Sequence, residues 1–192
     1  MQQKLFCGSV NMADKVSKRL VIDASVARAA GGEDATYPIS VYCRDFLEAV
    51  LDLSHRVVMT PDIRDEWNKH QSKSARIWLR QMVAKKKLCP CDIAVDNDLW
   101  CQVEAKAESD KEREVMVKDL RLVEAGIATD RTVISLDDTV RQCFAKVAVD
   151  VDMLKDIIWV NPGKKAEEPL DWLQNGAEPE IERSLGFQKA HN

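Results

Sequence analysis

The sequence predicts a three-layer α/β domain, with a mainly parallel central sheet of four to five strands flanked by helices. Three observations carry this. The short apolar runs RLVID (19 to 23), RVVM (56 to 59), RTVIS (131 to 135) and DIIWV (156 to 160) have the unbroken hydrophobicity of strands buried on both faces. Stretches of helical periodicity lie between them. Strand and helix therefore alternate along the chain, which is the pattern of crossover connections in a parallel sheet.

Residues 1 to 18 show little pattern and read as an N-terminal extension, and Met12 offers a second start because MADKVSKRLVID leads straight into the first strand. ASVARAA after Asp23 reads as a short helix closed by Gly31 and Gly32. A loop follows, and then residues 39 to 52 set Val41, Phe46, Leu47, Val50 and Leu51 on one helical side. After RVVM, Thr60 is a helix N-cap and Pro61 takes the first helical position. A further helix covers 72 to 86. KLCPCDIA is a short strand weakened by Pro90. Residues 97 to 107 and 110 to 129 read as two helices, or as one broken near Ser109. DDTVRQCFAKVAV is the helix between the last two strands. From Asn161 onward, prolines and glycines among charges mark a C-terminal extension (161 to 192) beyond a domain at 19 to 160, in which PLDWL and EIERSL could dock as short helices.

The composition narrows the chemistry. With 192 residues, 45% hydrophobic and 31% charged, the chain can bury one ordinary core. It has no apolar run long enough to span a bilayer and no secretory leader pattern, so a cytoplasmic location without a membrane partner is expected. Six scattered cysteines in such a chain are reduced core residues rather than a disulfide framework. Cys89 and Cys91 form the only close pair, without the second pair a zinc site needs. The three histidines are far apart and no nucleophile motif or glycine-rich phosphate loop occurs. The net charge of −4 gives no global pull on nucleic acid. Between Arg64 and Lys87, however, eight basic residues face only two acids.

Four acids stand out. Ligands of open α/β sheets bind beyond the carboxyl ends of the strands. Asp23 ends the first strand and Asp137 follows VIS by two residues, so both project from that edge. Glu66 is beside Ile63 and Trp67 on the inward face of its helix. In VMVKDLRLVEAGIA (115 to 128), steps of three and four from Val115 put Asp119 with Leu122, Val123 and Gly126 on the apolar face, while Lys118, Arg121 and Glu124 point away. A lone carboxylate there costs several kcal/mol unless it is bonded, paired or protonated. Each acid also has an ordinary explanation: Asp23 and Asp137 or Asp138 as caps, Glu66 beside a helix dipole, Asp119 in a buried salt bridge.

In their order and spacing these stretches resemble the PIN-domain family, a metal-dependent nuclease fold that includes toxin ribonucleases of toxin-antitoxin pairs. VIDASV resembles its opening strand and first acid, Asp23, followed by a small polar residue, Ser25. VVMTPDIRDEW resembles the second motif, with Thr60 six positions before Glu66. KDLRLVEAGIA is similar to the third, with Asp119 six before Ala125. VISLDD is similar to the fourth, with Ser135 and Asp137, although Asp138 beside it leaves that ligand open. The resemblance covers about residues 19 to 160.

It implies Mg²⁺ or Mn²⁺ held by Asp23, Glu66, Asp119 and Asp137, and hydrolysis of RNA by a metal-activated water. Crowded carboxylates repel and a hard divalent cation relieves them, which agrees with that expectation. Ser25, Ser135 and Asp138 would orient the acids. The basic stripe Lys69, Lys73, Arg76, Arg80 and Lys87 could guide a phosphate backbone or remain a solvated face. Trp67, Trp78 and Trp100 are expected in the core rather than as base-stacking platforms. For the toxin branch, the family implies an antitoxin partner and a homodimer. Two rival readings are a non-cleaving RNA- or protein-binding module and a structure-specific DNA nuclease.

Overall fold

The computed structural model describes residues 17–187. The readings placed on the first sixteen residues, including the Met12 start, and on His191 lie outside them. Strands β1 (Arg19–Ile22), β2 (Arg56–Met59), β3 (Leu88–Pro90), β4 (Thr132–Ile134) and β5 (Ile158–Val160) form one sheet in the order β3-β2-β1-β4-β5. Every neighbouring pair is parallel. KLCPCDIA contributes only three residues at the sheet edge, where Pro90 leaves no ladder bond unmade.

The helices are α1 (Ala24–Ala29), α2 (Pro38–Asp52), α3 (Pro61–His70), α4 (Lys73–Ala84), α5 (Asn97–Lys106), α6 (Asp110–Ile127), α7 (Asp138–Val147), α8 (Asp152–Lys155) and α9 (Pro169–Gln174). The chain moves from β1 toward β3 and then jumps back across to β4, so right-handed crossovers put α1 to α4 on one face and α5 to α8 on the other. The contacts agree: α1 packs on α2 and α3, and α2 on α4, while α6 lies against β1, β4, α5 and α7. This is the expected three-layer arrangement. Its reversal of direction falls between β1 and β4, which opens a crevice at their carboxyl ends.

Local signals set most element boundaries. The Ser109 hydroxyl accepts from the Glu112 amide, so the stretch from 97 to 129 is two helices. Helix α8 has four residues, too few for a period to register in the sequence. Thr60, 2% exposed, accepts from the Ile63 amide at 3.2 Å. Thr60→Ala is expected to remove this cap and cost about 1 kcal/mol, read as a thermal midpoint lower by about 2–4 °C.

Trp67 and Trp78 stack in the core with ring centroids 5.7 Å apart. The Trp67 indole donates to the Ile22 carbonyl at 2.8 Å, which pins the end of β1. Cys43 and Cys143 are core residues, whereas Cys101 is exposed and does not fit the expected burial; all described cysteines are free. The segment from Asn161 is docked: Trp172, Leu173 and Leu185 are buried, and the Leu185 amide donates to the Ile157 carbonyl. His55 joins this segment to the residue before β1. Its Nδ1 accepts from the Lys18 amide, so Nε2 donates to the Leu173 carbonyl. Among the described residues no helix is long and apolar enough to cross a membrane.

Candidate active site

Asp23, Glu66, Asp119 and Asp137 line one cleft of about 460 Å³ at the crevice between β1 and β4. Sequence distance is undone by topology: two acids come from strand ends, and two from helices α3 and α6, which meet above that edge.

Asp23 occupies the N-cap position of α1 but makes no side-chain capping bond. Its Oδ2 instead receives the hydroxyl protons of Ser25 and of Ser135, the latter at 3.0 Å. Both hydroxyls are themselves fixed by the backbone, since Ser25 Oγ accepts from the Leu136 amide and Ser135 Oγ from the Asp137 amide. Their lone pairs are engaged, so their protons turn to Asp23. Asp137 serves twice: Oδ1 caps α7 by accepting from Val140 at 3.0 Å, and the same side chain lines the cleft. Asp138 is elsewhere. Its oxygens take Lys164 at 2.9 Å and Asn161 at 3.0 Å, so it ties α7 to the chain after β5.

Glu66 lies at the rim, 46% exposed, bonded to Lys69 at 2.8 Å and facing His70 at 3.4 Å. The Lys69 hydrogen bond is the main reason its carboxyl falls below the usual range. Asp119 is the opposite case. Among the described residues it has no hydrogen bond and no ion pair, so the salt bridge that would have explained it away is not formed. Burial first, and then the negative charges of Asp23, Asp137 and Glu66, against the opposing charge of Lys118, push its pKa up from 3.8 to about 6.

Two neighbours of Asp119 correct the helical reading. Helical period places Glu124 on the solvent side of α6, yet it is 4% exposed. It accepts from the Asp96 amide at 2.7 Å, the Trp100 indole at 3.0 Å and Arg121 at 2.5 Å. Arg121 reaches on to Asp62 of α3 at 2.8 Å and to the Ile93 carbonyl at 2.8 Å. The basic stripe is likewise not continuous. Gln71 and Ser72 interrupt it between α3 and α4, so Lys69 lines the acidic cleft while Lys73, Arg76 and Arg80 are exposed on α4. Lys87 leaves the stripe altogether, because its ammonium donates to the Leu51 and Leu53 carbonyls at the end of α2. The sequence reading missed Arg28, which lines the cleft from α1. No local signal marks it, because it is one exposed arginine on a six-residue helix.

A metal would find only oxygen donors among the four acids, which suits a hard divalent ion. Among the described residues no three Asp, Glu, His or Cys side chains stand close enough to hold one as they are. The donor chemistry fits, and the side chains would have to close in. A larger cleft of about 550 Å³ lies between α2 and α4, but its arginine, Arg44, is spent on Asp45 and the Gly32 carbonyl. No family model matches the chain, and no curated protein matches it significantly.

Proposed function

We propose that the chain is a metal-dependent ribonuclease that hydrolyses phosphodiester bonds of RNA. One observation carries the reading: Asp119, without an ion pair among the described residues and with a raised pKa, shares one cleft with Asp23, Glu66 and Asp137. Asp23, Asp119, Asp137 and Glu66 would hold Mg²⁺ or Mn²⁺. Such an ion supplies a water of lowered pKa and offsets charge developing on the phosphodiester. Asp23 enters pre-oriented by Ser25 and Ser135. Asp119, which has no hydrogen bond or ion pair among the described residues, is the carboxyl left to take a proton from an attacking water. Glu66, 46% exposed at the rim, would exchange its bond to Lys69 for the ion.

By analogy with the family the sequence resembles, an antitoxin would cover this cleft and two copies would associate. A second reading, an RNA- or protein-binding module without hydrolysis, draws support from Glu66, whose two oxygens are already engaged by Lys69 and His70.

The test incubates labelled single-stranded RNA and DNA with the protein and Mg²⁺, Mn²⁺ or chelator. The expected result is RNA cutting that needs metal and disappears in Asp23→Asn. RNA binding with no cutting under either metal would replace hydrolysis by the binding module. Cutting of DNA alone would move the substrate to the other sugar.

A further inference from the structure

We propose that Arg28 and Lys118 grip the phosphates on either side of the scissile bond. This rests on the ribonuclease reading and names its substrate contacts. Long cations beside acids ordinarily pair with them, and in this cleft Lys69 binds Glu66 and Arg121 binds Asp62 and Glu124. Arg28 and Lys118 do not. Both line the same cleft, both are exposed, and neither has an ion pair or hydrogen bond among the described residues.

Their places matter more than their number. Arg28 stands on α1, which follows Asp23, and Lys118 on α6, next to Asp119; these helices belong to opposite layers, so two uncommitted positive charges enter the acids' cleft from the two sides of the sheet. Lys118 is near enough to Asp119 and Glu66 for its charge to act on both. An entering strand brings one negative charge to the acids and one on each side of it. The central phosphate meets repulsion unless a cation is bound, whereas the flanking ones meet a guanidinium and an ammonium. The two grips therefore position the central phosphate over the acids and offset part of its repulsion. A substrate ending at the scissile phosphate would leave one grip empty. The α4 cations do not line this cleft, so they cannot substitute for either grip.

The experiment measures binding of a short fluorescent single-stranded RNA across a salt series with Mg²⁺, in an Asp119→Asn background that holds without cutting. Arg28→Gln and Lys118→Gln are added singly and together, with Lys155→Gln at the far end of the sheet as control; wild-type cleavage is assayed in parallel. Each lost phosphate contact is expected to reduce the slope of log affinity against log salt by about 0.7. The double variant should show about twice that change, Arg28→Lys should restore the slope, and the control should leave it unaltered. Both grips are exposed, and thermal melts of each variant verify folding. Cleavage by wild type together with unaltered slopes in both single variants would overturn the grip and leave the ribonuclease reading standing. Failure of the wild type to bind or cut RNA would overturn both.

Discussion

Asp119→Asn is expected to make the metal-free protein more stable while removing its activity. The fold raises this carboxyl from 3.8 to about 6, so the folded state holds the proton more tightly than the unfolded chain does. Ionisation at neutral pH therefore counts against folding. Each pKa unit corresponds to about 1.4 kcal/mol; with allowance for water in an open cleft, the burden is on the order of 1–2 kcal/mol. Asparagine cannot ionise, and the variant should melt about 2–8 °C higher than wild type in chelator at pH 8. The sign fixes the pH course. The gain is complete above pH 6, shrinks as pH falls through that value, and vanishes below the unfolded pKa of 3.8, where both chains are neutral at this position. Added Mg²⁺ should raise the midpoint of wild type more than that of the variant. RNA cleavage should drop on the order of 10²-fold or more, as several kcal/mol of charge stabilisation is lost. Melts across pH, with and without metal, check the first part and single-turnover cutting the second. A variant no more stable than wild type would mean that Asp119 finds a partner in solution.

What could be read in advance followed the range of the forces involved. Asp23, Thr60, Ser109 and Asp137 sit where a strand ends or a helix begins, and such places are written in a few adjacent residues. The four acids were legible because two follow strands and two interrupt or border an apolar helical face. Glu124 was misread for a long-range reason. Helical period names one face of α6 as buried, but the loop from Cys91 to Asp96 and helix α5 cover a second face, and their docking leaves no periodic trace. Lys87 was misread similarly, because its partners are carbonyls that only the β2 and β3 pairing brings near it. Arg28 was passed over since one exposed arginine on a six-residue helix is unremarkable until the cleft is formed.

The burial of Glu124 makes its cation, Arg121, a point of vulnerability in the fold. Arg121 holds three elements at once, joining Asp62 on α3, Glu124 on its own helix and the Ile93 carbonyl of the loop after β3. Its removal leaves the Glu124 carboxylate, side chain 3% exposed, without a cation. Breaking one side of a buried pair costs about 3–5 kcal/mol, and Arg121→Met should lower the thermal midpoint by about 6–20 °C. Asp62 and Glu66 share α3, while Arg121 and Asp119 share α6, so the link also sets the spacing of the two helix-borne acids. The double variant Arg121→Met, Glu124→Gln separates charge burial from lost packing. Glutamine keeps an oxygen for the Asp96 amide and the Trp100 indole but carries no charge, so the double variant should be more stable than Arg121→Met alone. If the double variant instead melts lower than the single one, the unpaired carboxylate is not the origin of the loss, and Arg121 acts through its contacts with Asp62 and Ile93.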